Sequence, residues 1–264
     1  MLLQTAWADP LRACYGDWQP YIYKNDRNEL VGIAKDLLTA AVEAIGQEIE
    51  YVRLPYKRCI LEVRSGRLDI VMLTSPAIST DLIESRTIFA YWRPAAIVRN
   101  QDALTHFSTL KQLSDRVVIV IDSYKYPEPL RRWLEGHATV VKASYGSEQV
   151  QGYTVPYRML EAGRGDVFIE DLFWSHNFIH EYDLDLRVLE PAITCETNSI
   201  SFRKGLSDLR DKIDHALSVR GTEFREALFM AYTGQPESTF AYAPRAGSRH
   251  DTDRRPCGGL KLRY

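Results

Sequence analysis

The sequence lacks most of the devices that announce a chemistry. No run approaches eighteen uninterrupted apolar residues, so no stretch of the 264 is long and apolar enough to span a membrane as a helix. There is no G-x-S-x-G elbow, no phosphate-cradling G-x-x-x-x-G-K-[ST] and no H-E-x-x-H, which removes the motif-level support for a serine hydrolase, a P-loop enzyme or a zincin. The four cysteines (Cys14, Cys59, Cys195, Cys257) are far apart with no C-x-x-C pair, a pattern of neither a zinc site nor a disulfide-dense scaffold. It leaves room for a disulfide in an oxidising compartment without showing one. His176 and His180 stand four apart beside Glu181, but no third ligand accompanies them, so no metal is expected. An excess of one charge is missing too. Thirty-three basic against 35 acidic residues leave −2, which argues against a nucleic-acid partner held by bulk charge.

What is present is ordinary globular material, 45% apolar and 26% charged. At about 150 residues per domain the length suggests two modest domains. The charge is uneven. Residues 238–264 carry +4 and lack apolar periodicity, so they read as a disordered tail, leaving −6 on residues 1–237. At the other end, Ala6-Trp7-Ala8 before Asp9-Pro10 has the small-x-small form of a signal-peptidase site. Residues 1–8 are therefore read as the remnant of an export signal that begins upstream.

Between these ends the pattern repeats strand, turn, helix. Leu11–Tyr15 reads as a strand; Ile33, Leu37, Ala41 and Ile45 form a helical stripe closed by Gly46. A strand at Glu50–Leu54, a helix at Tyr56–Ser65 and a buried-strand run at Leu68–Leu73 follow. A second set starts near residue 94. It has strands at Arg116–Ile121, Thr139–Lys142, Asp166–Ile169 and Leu186–Leu189, with helices at Pro127–Leu134, around Val155, Met159 and Leu160, and at Phe173–His180. A strand at Asn198–Arg203 and two helices, striped by Leu206, Leu209, Ile213, Leu217 and by Phe224, Leu228, Ala231, complete the pattern. Alternating β and α elements imply two open, mostly parallel α/β sheets, which bind ligands beyond the carboxyl ends of their strands.

Eight segments in this order carry a resemblance. Gly16-Asp-Trp-Gln-Pro-Tyr21, Gly32-Ile-Ala-Lys-Asp-Leu37, Leu54-Pro-Tyr-Lys-Arg58, Ser65-Gly-Arg-Leu-Asp-Ile70 and Ser123-Tyr-Lys-Tyr-Pro127 are the first five. Gly163-Arg-Gly-Asp-Val-Phe-Ile-Glu-Asp171, Ser199-Ile-Ser-Phe-Arg-Lys204 and Leu209-Arg-Asp-Lys-Ile213 are the rest. From about residue 11 to 234 the chain resembles the bacterial family 3 extracellular solute-binding proteins, in a branch apart from the well-defined amino-acid binders. The resemblance implies a type II periplasmic-binding-protein fold, with two α/β lobes joined by a two-strand hinge. Lobe one would hold residues 9–92 plus 197–236 and lobe two residues 95–194. Tyr91–Val98 would be the outgoing hinge strand and Glu196–Phe202 the returning one.

The same resemblance nominates ligand-binding residues. Asp17, Trp18 and Tyr21 would supply a polar contact and an aromatic wall, and Tyr56 a stacking ring, against plain packing as the alternative for each aromatic. Thr74 and Ser75 offer hydroxyls at a strand end, where similar proteins bind a carboxylate and follow it with an arginine. Here Asp81 stands in that arginine's place. An anion there should repel an amino-acid carboxylate, which leaves a non-amino-acid ligand, a clamp moved to Arg58 or Lys125, or a degenerate site. In lobe two, Ser123, Tyr124 and Lys125 precede a helix whose N-terminus favours an acceptor group. Glu170 and Asp171 would meet a ligand cation, with helix capping as the competing role for Asp171.

The implied function is capture of a small polar solute, amino-acid-like or related, in a cleft between lobes for ABC-type import. The implied protein is periplasmic, monomeric, not an enzyme and without a cofactor. Its partners would be the solute and an ABC transporter membrane permease, with no nucleic acid. The alternatives are the ligand-sensing module of a signalling system, disfavoured because the chain ends soon after its last helix, and a degenerate binding domain.

Overall fold

Successive side chains of a strand point to opposite faces, and this period of two builds both sheets. The computed structural model describes residues 9–75, 81–144, 150–244 and 254–257. The chain folds as two units, Met1–Ala90 with Asn198–Gly234 and Tyr91–Thr197 with Gln235–Tyr264. The first opens with β1 (Leu11–Tyr15), a small antiparallel pair β2 (Tyr23–Lys24) and β3 (Leu30–Val31), and α1 (Ile33–Ala44). It continues through β4 (Ile49–Arg53), α2 (Tyr56–Arg64), β5 (Ile70–Thr74) and β6 (Ile83–Glu84). The chain leaves within β7 (Ala90–Trp92) and enters β8 (Pro94–Arg99), a 3-10 turn at Leu110–Leu113, β9 (Val117–Ile121), α3 (Glu128–His137) and β10 (Thr139–Ala143). Next come α4 (Val150–Glu161), β11 (Val167–Asp171), α5 (Leu172–Glu181) and β12 (Leu186–Leu189). β13 (Glu196–Phe202) returns the chain to α6 (Ser207–Thr233) of the first unit. The short α7 (Ser238–Ala241), β14 (Tyr242–Pro244) and β15 (Arg254–Pro256) belong to the second.

The two sheets share one plan. The first runs β4-β1-β5-β13-β6, with β7 joining β13; the second runs β10-β9-β11-β8-β12. In each, three parallel strands (β4, β1, β5 or β10, β9, β11) are followed by one antiparallel strand, β13 or β8. The parallel strands take the spatial order second, first, third. Chain direction therefore splits beside the first strand, between β1 and β5 in one unit and between β9 and β11 in the other. Such a split leaves a crevice at the carboxyl edge of the sheet.

Both faces of the second sheet are covered, which is why its strands read as unbroken apolar runs. Ala96, Val98, Val118, Val120, Val167 and Ile169 pack under Leu130, Trp133 and Leu134 of α3, while Ile97, Ile119, Ile121 and Phe168 pack under Tyr157, Leu160 and Phe178 of α4 and α5. The buried stripe of α4 thus runs through Tyr157 and Leu160, and Val155, expected on it, is 41% exposed. In the first unit α2 lays Cys59 and Val63 over Cys14 and Val71, and a Cys14–Cys59 disulfide ties it to β1.

Two elements differ from the sequence reading. The outgoing hinge strand is two strands, interrupted at Arg93, whose N–H bonds Asp171 Oδ2 (3.0 Å) and whose carbonyl accepts from Leu172 N–H (2.9 Å). The two final helices stand as read, on either side of Gly221, whose φ of 76° breaks the helical backbone between them. The stretch read as a structureless tail carries α7, β14 and β15. Phe240 within it is fully buried, and a Cys195–Cys257 disulfide fastens it. The tail's remaining residues, and the signal remnant at 1–8, lie outside the described residues.

One glycine holds the loop after β1 against α1. Gly32 has φ 132°, and a Cβ there would collide with the Tyr21 carbonyl and Ile22 nitrogen. This close approach lets the first helical N–H groups find acceptors: Ile33 bonds the Pro20 carbonyl (3.0 Å) and Ala34 that of Tyr21 (2.8 Å). Gly32→Ala is expected to destabilise the protein by about 2–4 kcal/mol in urea unfolding, combining backbone strain with the collision. A loss under about 0.5 kcal/mol would contradict this packing.

Candidate functional site

At the carboxyl edge of the first sheet, the β1–α1 loop, the start of α2 and the end of β5 emerge side by side, because β4, β1 and β5 are parallel neighbours. Asp17 pairs with Arg53, the last residue of β4, through Oδ2. Its Oδ1 is buried without a partner, as are Trp18 Nε1 and Ser75 Oγ. Only six buried side-chain polar atoms among the described residues are unpartnered, and half belong to residues nominated from sequence. Leaving such groups dry costs about 1–3 kcal/mol each, so an orphaned acceptor and two donors at one sheet edge require an explanation. Burial raises the Asp17 carboxyl pKa despite the opposing Arg53 charge.

The other nominees of this unit have structural work. Tyr21 is 1% exposed, with its ring edge-on to Trp18 (5.2 Å) and to Phe229 (6.4 Å), so it is a core residue rather than an open wall. The Thr74 hydroxyl is engaged by Ser201 Oγ and the Ser199 carbonyl of β13. Leu73, just before it, adopts φ 56° opposite an irregularity in β13 pairing; this reorients the strand's end at Thr74 and Ser75. Tyr56 opens α2 half-buried, and burial beside Glu84 raises its hydroxyl pKa. Asp81 pairs with Arg64 at the end of α2 (3.4 Å) with 57% of its side chain exposed. Its charge is thus answered locally, which weakens the argument that it repels a carboxylate. Arg58, one proposed substitute clamp, pairs with Glu62 (3.4 Å) and lines a groove of about 330 Å³ along α2 with Arg12, Val52, Leu54, Arg67 and Leu68. That groove contains none of the nominated site residues, and Arg12 and Arg67 have carboxylates of their own in Glu50 and Glu62.

In the second unit, Ser123, Tyr124 and Lys125 follow β9, and Glu170 and Asp171 end β11, on the two sides of the switch point. Ser123 is partly exposed and Lys125 exposed. Tyr124 joins an aromatic corner with Trp92 (5.8 Å) and Tyr126 (6.1 Å). Tyr126 staples the edge: its hydroxyl accepts from Ile121 N–H (3.0 Å) and donates to the Ile169 carbonyl (2.9 Å), joining the ends of β9 and β11. Burial and the nearby Glu170 charge raise its pKa. Glu170 is 2% exposed and accepts from Asp171 N–H (2.7 Å).

Asp171 departs most from expectation. Its Oδ1 caps α5 at Trp174 N–H (2.9 Å) and its Oδ2 holds Arg93 N–H (3.0 Å). Fully buried and with a raised pKa, it is a fold-organising cap rather than a free carboxylate. Trp92, Arg93, Tyr126 and Arg53 were missed. Trp92 and Arg93 reach this edge only because β8 runs antiparallel to β11, with Asp171 opposite Pro94, a pairing no local pattern reveals.

Both units therefore present loops at the carboxyl edge of a 2-1-3 parallel sheet, and the chain passes between the units in strands β7 and β13. This is the type II periplasmic-binding-protein fold. Solved structures with it include an ancestral arginine-binding protein bound to arginine (19% identity, 85% of this chain and 98% of that one, TM-score 0.70). The substrate-binding protein of an amino acid ABC transporter matches at 17% identity over 86% and 99% of the two chains, TM-score 0.67. A histidine kinase sensor domain with similarity to periplasmic binding proteins matches at 19% identity over 86% and 96%, TM-score 0.71. No curated protein matches by sequence. The family model of the bacterial extracellular solute-binding proteins, family 3, matches residues 12–220, and the chain belongs to that family. Its members bind solutes outside the cytoplasm and are not enzymes.

Two measurements test this assignment of roles. Asp171→Ala should lower stability by about 1–3 kcal/mol, since two buried N–H groups lose their acceptor; an unchanged urea midpoint would show that the cap is dispensable. Because the folded pKa of Asp17 lies above its unfolded value, its ionisation costs nothing below the ordinary carboxyl pKa and becomes destabilising as pH rises through the raised one. Stability of the wild type relative to Asp17→Asn should therefore fall as pH rises from the ordinary carboxyl range toward neutrality. A rise over that range would mean the Arg53 pair outweighs burial.

Proposed function

We propose that the carboxyl edge of the first unit binds a small polar solute, amino-acid-like or related, and that this captured form is what an ABC transporter permease receives. The observation that carries the reading is the trio of unpartnered atoms, Asp17 Oδ1, Trp18 Nε1 and Ser75 Oγ, at the switch point of the first sheet. Together they offer one acceptor and two donors to a guest with complementary groups, and the Trp18 ring offers a face to a flat or cationic one. The carboxyl edge of the second unit carries its own aromatic corner of Trp92, Tyr124 and Tyr126. A bound solute favours the conformation in which the groups that touch it can reach it, by its differential affinity for that state. The protein would act as a periplasmic monomer without nucleic acid. Likeness to a histidine kinase sensor domain supports a second reading, in which the same binding event reports to a signalling partner.

The test is titration with L-arginine, L-glutamine, spermidine and succinate, followed by tryptophan fluorescence and thermal denaturation. One of these classes should raise the melting temperature. Ser75→Ala and Trp18→Phe should each weaken that solute at least about tenfold, equivalent to ~1.4 kcal/mol, with little change in the unliganded melting temperature. Full affinity in both variants would place the site elsewhere.

A further inference from the structure

The second unit contains an element that solute capture does not use. After Gly234, which ends α6 with φ 67°, the chain crosses between units for a third time and enters the second unit again. There it makes contacts concentrated on the two crossing strands. Tyr91, in β7, donates its hydroxyl to Glu237 Oε1 (2.7 Å). Arg93, directly after β7 and 9% exposed, donates Nη1 to the Thr239 carbonyl (2.9 Å) and lies 4.6 Å from the centroid of the Phe240 ring. Cys195, directly before β13, is disulfide-bonded to Cys257, whose N–H bonds the Ala241 carbonyl (2.8 Å). Phe240 is fully buried and packs on Phe173 of α5 (5.5 Å).

Three of these four anchors lie within three residues of a crossing, at 90/91 or 197/198. A trailing segment with no role beyond covering apolar surface would have no reason to select them. The Cys195–Cys257 bond, across a sequence separation of 62, also closes a ring that contains the whole of Asn198–Gly234, so the covalent loop runs out through the first unit and back. Arg93 connects the arrangement to the candidate site, since its backbone N–H is held by Asp171.

We propose that the segment Gln235–Pro244, locked through Cys257, is a strap that grips both crossing strands and limits how freely they flex. Its grip combines a cation–π contact, a buried aromatic anchor and a covalent link. The Arg93–Asp171 bond passes any loosening to the edge that carries Glu170.

Amide hydrogen exchange on the solute-free protein tests this independently of the solute-binding reading. In the Cys195→Ser/Cys257→Ser variant, amides at residues 90–93 and 195–198 should exchange at least about tenfold faster than in the wild type, those of α1 staying unchanged. Phe240→Ala, which keeps the disulfide, should accelerate the same amides by a smaller factor, and it serves as the test if the double variant does not fold. Acceleration confined to residues 238–244, with the crossing strands at wild-type rates, would overturn the proposal and reduce the segment to an appendage.

Discussion

Three parallel strands in the order second, first, third form the constraint on which the rest of this structure depends. Each βαβ connection must return over one face of the sheet, so every loop that follows a parallel strand emerges at the same edge. Where the order reverses, consecutive connections depart on opposite faces and leave a gap. The first unit puts Asp17 and Trp18 on one side of that gap and Thr74 and Ser75 on the other. The second repeats the plan with Ser123–Tyr126 and Glu170–Asp171. The residues cluster because of strand order, whatever their distance in sequence.

Within that edge, hydrogen-bond accounting separates residues that hold the fold from residues left for a guest. Thr74, Asp171 and the Tyr126 hydroxyl spend their polar atoms on neighbouring backbone or side chains. Asp17 Oδ1, Trp18 Nε1 and Ser75 Oγ do not. The same accounting sets aside the Arg12, Arg58 and Arg67 groove, whose guanidinium groups already face carboxylates. It also explains the interrupted outgoing strand. Arg93 leaves the β7 ladder because both its backbone groups bond the Asp171–Leu172 corner.

Local periodicity made most strands and helices legible in the sequence. The apolar run at residues 117–121 and the stripe of Ile33, Leu37 and Ala41 depend on near neighbours alone, and both elements stand where the pattern puts them. Family resemblance brought the carboxyl-edge residues into view but could not sort them. Whether Asp171 caps a helix or meets a cation depends on Arg93, 78 positions away, and whether Tyr21 is a wall or a core residue depends on Phe229. The C-terminal segment was the least legible. Its composition is polar and basic, and what orders it is one buried ring, Phe240, and a sulfur partner at Cys195, neither visible as a pattern.

The central claim, that the unpartnered groups at the carboxyl edge of the first sheet serve a solute, is tested most directly by mapping amide protection on binding. With a stabilising solute bound, residues 16–18 and 74–75 should gain protection. Unchanged exchange at those residues, or protection falling instead along the α2 groove at Arg58 and Arg67, would contradict it.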